Sequence, residues 1–237
     1  CMLSQLVIIQ KRGGKKMFSK ELHEATQSIW QQSKDHPFIQ ELVAGSLPEE
    51  IFRYDLLQDC YYLIQFGKAH LLLAEKADDP VFKALQIQNA QGLEESEVSV
   101  RHDFFQQMAI TPEEYAATPI APTAYHYTSH IYRLIQTENP AIILAALLPC
   151  YWLYQEIGEH FATVGSPHPI YQTWIETYHS PEFKQMTQTQ IDWLDFFAER
   201  ASAEEKKAMK EAFIISSYLE LQFWEMAYQK ESWGMSR

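Results

Sequence analysis

The run Leu147-Leu148-Pro149-Cys150-Tyr151-Trp152-Leu153-Tyr154-Gln155-Glu156 decides how this chain is read. It continues an apolar helical pattern that opens at Asn139-Pro140, where asparagine can cap and proline can take the first helical position. Inside a helix a proline costs about 3 kcal/mol relative to alanine, because it removes one N–H and crowds the carbonyl four residues back. That carbonyl belongs to Ala145, and a kink is expected at Pro149. A helix apolar on both sides of such a residue belongs in a core. Cys150 and Tyr154, four residues apart, project from the same face. Locally, Cys150 reads either as a small core hydrophobe or as the thiol of a site, and nothing in the stretch itself shows thiolate character.

Working outward, the chain reads as helix after helix. Ser46-x-x-Glu49, Thr111-x-x-Glu114 and Ser202-x-x-Glu205 have capping-box spacing. Pro48, Pro112, Pro140 and Pro181 fall at or near the first helical turn, and Asp79-Pro80 repeats the cap-proline pair. Gly45 and Gly165 suit helix stops. No run alternates apolar and polar residues with β-branched enrichment over strand length. The expected helices span 18–34, 37–44, 48–77, 80–109, 123–137, 140–163, 168–178, 181–200 and 203–231, with a loop over 116–122. No linker or repeat divides them, so the expectation is all-α, in a single domain over 17–237.

Composition narrows the chemistry. The aromatic fraction of 14% supplies walls for flat ligands, while eight glycines are few for nucleotide loops or a turn-rich β-sandwich. A net charge of −12 disfavours nucleic acid and suits a neutral or cationic small molecule. Cys1, Cys60 and Cys150 form no disulfide framework, which points to a reducing cytoplasm. No apolar run reaches a membrane span of about 18 residues, so no membrane partner is expected. Lys-Arg-Gly-Gly-Lys-Lys just before Met17 resembles a translated ribosome-binding site, so residues 1–16 are expected to be a non-native extension.

Two carboxylates stand out because their neighbours are apolar. Asp59 lies mid-helix, with Leu56 and Leu63 beside it and Tyr62 and Phe66 on its face. Glu220 is surrounded by Phe213, Ile214, Tyr218, Leu219 and Phe223. Such carboxylates are hydrogen-bonded between helices, ion-paired, or set at a cavity where burial raises the pKa. The competing constellation is metal: Glu156-x-x-Glu159-His160 and His126-x-x-x-His130. It lacks the second Glu-x-x-His copy of a di-iron site, so no metal is expected, and the two histidines read as surface or core residues. Gly67, Gly92 and Gly158, inside helices, read as close helix crossings.

Five blocks, in order, resemble the TenA family, the thiaminase II or aminopyrimidine aminohydrolase proteins. They are Leu57-Gln58-Asp59-Cys60-Tyr61-Tyr62-Leu63, the run from Pro122 to His130, Leu147 to Tyr154, His168 to Tyr178, and Ile215 to Ala227. The resemblance spans essentially all of the chain from Met17. It implies a haem-oxygenase-like helical bundle without haem, assembled as a homotetramer. It also implies hydrolysis of 4-amino-5-aminomethyl-2-methylpyrimidine, and of thiamin, to the hydroxymethyl pyrimidine in thiamin salvage. By resemblance, Cys150 is the nucleophile and Glu220 the general acid/base, and Asp59 holds the 4-amino edge. Tyr127, Tyr154 and Tyr178 are hydrogen-bonding phenols, and Tyr62 and Phe223 are aromatic walls. This chemistry needs no metal or redox cofactor. The alternatives are a non-catalytic pyrimidine binder or regulator, and a metal-dependent oxidase on the same scaffold.

Overall fold

The computed structural model describes residues 17–94 and 98–234, so the expected extension at 1–16 lies outside the described residues. These residues form eleven α-helices and, among them, no strand. They are α1 (Phe18–Asp35), α2 (Pro37–Ala44), α3 (Glu49–Lys76), α4 (Pro80–Gly92), α5 (Val98–Gln107), α6 (Pro112–Ala117), α7 (Pro122–Thr137), α8 (Pro140–Phe161), α9 (Pro169–His179), α10 (Pro181–Ala198) and α11 (Ala203–Gln229).

Local chemistry places most of the starts. Asp79 accepts from the Val81 and Phe82 N–H groups, and Asn139 accepts from those of Ala141 and Ile142. Ser202 and Glu205 form a reciprocal capping box at α11. Thr111 accepts from Glu114 N–H, but the Glu114 carboxylate is taken by Arg53. Ser46 does not cap α3, which begins behind Pro48 without a side-chain cap. The reason lies upstream, where Gly45 (φ 73°) closes α2 and Ser46 N–H bonds to Glu41 O at 2.8 Å. Ser46 is thus the last residue of a Schellman closure rather than the first of the next helix.

α8 is the central element, packed by α3, α7, α9, α10 and α11. Ala141 through Pro149 is buried without interruption, and the helix runs through Pro149 unbroken. Contrary to the expectation that no run reaches membrane-span length, α8 is long and apolar enough to cross a membrane. Its most apolar window is 78% buried inside the bundle, the setting of a core helix.

Three expectations are corrected. The single helix expected over 80–109 is described as two, α4 and α5, both packed on α3, and residues 95–97 between them lie outside the described residues. The loop expected over 116–122 is helical at its start, because α6 runs through Ala117. That helix buries none of its residues, so no apolar periodicity announced it. Of the three glycines read as helix crossings, Gly158 is one: a Cβ there would lie 2.6 Å from the Tyr178 backbone, whereas among the described residues no other element comes within 4 Å of one at Gly67 or Gly92.

Candidate active site

On α3, Asp59, Leu63 and Phe66 follow at i, i+4 and i+7, so they share one inward face. They meet Cys150, Tyr151 and Tyr154 from α8, Tyr178 from the end of α9 and Phe183 from the start of α10. Together they enclose a cavity of about 10 Å³, roughly the room one water needs. A ring-sized ligand enters only if these walls shift. Asp59 is 7% exposed and Cys150 is half-buried at the same surface.

A second layer lies against it. Tyr127 Oη donates to Glu220 Oε1 at 2.7 Å, and both residues are buried. The Tyr62 ring sits 4.8 Å from that of Tyr127, 5.5 Å from Phe66 in a stacked pair, and 5.8 Å from Phe223 edge-on. Tyr62 Oη is buried beside the Tyr127 hydroxyl, with which it interacts.

The electrostatics tie the layers into one unit. Burial pushes the Glu220 carboxyl up to about 8; the Tyr127 hydrogen bond opposes this and the charge of Asp59 adds to it. Glu220 therefore carries a proton at neutral pH, as a general acid must. Burial also raises Tyr154, and the charges of Glu220 and Asp59, then Tyr178 and Cys150, raise it further. Tyr62 and Tyr127 are raised by burial as well, so all three phenols remain donors.

The structure thus gathers all eight residues singled out in the sequence. Asp59, Cys150, Tyr154 and Tyr178 face the cavity, while Tyr62, Tyr127, Glu220 and Phe223 form the layer beside it. Sequence reasoning missed three rings of the wall. Phe66 was legible as a neighbour of Asp59 on its helix face. Tyr151 and Phe183 carried no local signal, because only the packing of α10 against α8 brings them to the cavity.

The side chains of the metal-type motifs go elsewhere. Glu156 pairs with His23 and Lys34, and Glu159 with Lys184. His126 is exposed, while His130 is buried and driven down to about 4, chiefly by burial. Among the described residues no group of three or more histidine, cysteine or acidic side chains is arranged so that it could hold a metal ion.

The chain is similar to known proteins along most of its length. Residues 23–230 match the model of the TENA/THI-4/PQQC family. The chain is 45% identical over 219 residues to an aminopyrimidine aminohydrolase of Bacillus subtilis, covering 92% of this chain and 93% of that protein. A TenA homologue from P. horikoshii superposes with a TM-score of 0.84 at 28% identity, covering 90% and 99% of the two chains. Haem oxygenase-1 from Synechocystis superposes at 0.62 with 10% identity, covering 89% of this chain and 91% of that one. The last likeness concerns fold alone, and it makes this bundle haem-oxygenase-like.

Proposed function

Because the chain belongs to the TENA/THI-4/PQQC family, we propose that it is a hydrolase of thiamin metabolism, a thiaminase II-type aminopyrimidine aminohydrolase. Its substrate is 4-amino-5-aminomethyl-2-methylpyrimidine, with thiamin as a second substrate, and its product is the hydroxymethyl pyrimidine. The enzyme works in the cytoplasm as a homotetramer.

The observation that carries this reading is the meeting of a half-buried thiol, an acidic group and a protonated carboxyl. Cys150 and Asp59 share one small cavity, and Glu220 lies within electrostatic reach of both through Tyr154. Asp59 accepts from the 4-amino edge of the pyrimidine, and the aromatic walls stack on its faces. Cys150 adds to the ring as Glu220 protonates a ring nitrogen, so no full charge builds up on the heterocycle. The ring electrons then expel the protonated amine from the exocyclic methylene as ammonia. Water adds at that carbon and gives up a proton to solvent, the thiolate departs and Glu220 recovers its proton. A difficult displacement becomes two additions and two eliminations.

The test is release of ammonia from the aminomethyl pyrimidine by the purified protein, beside Cys150→Ser. Turnover by the wild type and loss by several orders of magnitude in Cys150→Ser is the expected result. Comparable turnover in Cys150→Ser removes the nucleophile assignment. Tight pyrimidine binding without turnover by the wild type would replace the hydrolase with a binding protein.

A further inference from the structure

A chain of buried polar groups starts at the cavity-lining Tyr151, and the chemistry above does not use it. Tyr151 Oη lies 2.7 Å from His70 Nε2. His70 Nδ1 lies 2.6 Å from Gln86 Oε1, and Gln86 Nε2 approaches Gln190 Oε1 at 3.4 Å. The four residues come from α8, α3, α4 and α10, and none is more than 1% exposed. Gln86 presents its carbonyl oxygen, so the ring N–H of His70 sits on Nδ1 and Nε2 is the bare acceptor. The Tyr151 hydroxyl therefore donates to His70, while the residue itself lines the cavity.

Such a chain is an expensive way to fill a core. Phenylalanine and leucine would occupy the same space without desolvating polar groups. What the polar chain adds is direction, because hydrogen bonds fix one arrangement where apolar contacts tolerate several. The place where direction is needed is clear from the sequence. Pro149 has no N–H, so α8 lacks a backbone bond one residue before Cys150. The helix is locally softer there, next to the thiol.

We infer that Tyr151 is a positioning residue whose hydroxyl, anchored on His70, holds the turn of α8 that presents the Cys150 thiol. This rests on the reading of Cys150 as the nucleophile. The aromatic contacts agree: the Phe66 ring lies 4.9 Å from His70 and 5.4 Å from Tyr151, bracing the pair from the cavity wall.

Tyr151→Phe removes the anchor and keeps the ring. The expected result is a fall in kcat of about tenfold, since small misplacement of a reacting group is costly. KM should stay within about twofold, because the ligand-facing surface is unchanged. Iodoacetamide labelling of Cys150, read by mass spectrometry of its own peptide, should speed up severalfold as the thiol gains freedom. Labelling of Cys60 should not change. Values of kcat and Cys150 labelling that both match wild type overturn the inference. So does labelling that slows in step with kcat, since that marks lost thiolate rather than lost position. If Tyr151→Phe fails to fold, His70→Gln and His70→Leu take its place. The glutamine offers Tyr151 an acceptor and should stay nearer wild type in both readouts; equal values for the pair overturn the inference. A wild type without pyrimidine turnover would sink the hydrolase reading, but the labelling comparison would still decide the anchor.

Discussion

Glu220 faces two demands that pull in opposite directions. Burial raises its carboxyl from an ordinary 4.5 to about 8, so between these values the folded chain holds a proton that the unfolded chain has released. Stability is then lost as pH rises through this window, and the full cost is present above pH 8. Glu220→Gln removes that cost, because an amide is neutral at every pH and can still accept from Tyr127. The variant should melt higher than wild type, by a margin that widens from pH 5 to pH 8. Its kcat should fall about 10²- to 10⁴-fold, the usual worth of a general acid/base. The wild-type rate should decline above about pH 8 as the carboxyl loses its proton. Melting curves and pH–rate profiles of the pair check both halves, and a Glu220→Gln rate near wild type would refute the role. Asp59 and Glu220 were legible because each is a charge amid apolar neighbours. Tyr127 was legible only through resemblance, since its bond to Glu220 joins residues 93 apart in sequence. Tyr151 and His70 were not legible, because nothing in either stretch marks a partner 81 residues away.

Among elements, the crossing of α8 and α9 couples backbone to cavity. Gly158 lets α9 approach so closely that a built Cβ would meet Tyr178 C at 2.6 Å and its carbonyl oxygen at 2.8 Å. Backbone cannot swing aside as a flexible side chain can, so α9 itself must move. Tyr178 lines the cavity, and its ring lies 4.9 Å from that of Tyr154. Gly158→Ala should therefore cost about 1–3 kcal/mol in urea unfolding, the range for overpacking. It should also raise KM, because the displaced phenol belongs to the ligand wall. Unchanged stability together with unchanged KM would show that the crossing has slack. Helix starts were largely readable, since Asp79, Asn139 and Ser202 cap where their spacing indicates. The division between α4 and α5 was not. Leu93 and Glu94 are good helix formers and continue the helical backbone beyond Gly92, so no local signal marks the end of α4. Ser46 failed for a related reason: its capping signal was genuine, but α2 had already claimed its backbone.

At the scale of the molecule, the all-helical class followed from caps and the lack of alternation, while the haem-oxygenase-like arrangement came by resemblance. Periodicity specifies helices but not which helices touch. At the surface, α3 carries apolar residues on its outer face as well as its inner one. Its inner face carries Asp59 and Phe66, yet Ile64 and Leu71 on the outside are 38% and 46% exposed. They are seven residues apart and so share a face. Tyr218 on α11 is 51% exposed. The proposed homotetramer would place a second copy of the chain on the α3 face. Each copy carries a net charge of −12, so assembly has to overcome repulsion between like charges. The balance should therefore depend on salt: apolar burial favours association at any ionic strength, and screening weakens the opposing term. Light scattering in moderate salt should give close to four times the 27.7 kDa of one chain, with smaller species on dilution at low salt. Ile64→Glu combined with Leu71→Glu should lower the mass while leaving helix content unchanged, because neither side chain is in the core. A wild-type mass of one chain at every salt concentration would rule out the assembly. A tetramer indifferent to the double substitution would move its interface off α3.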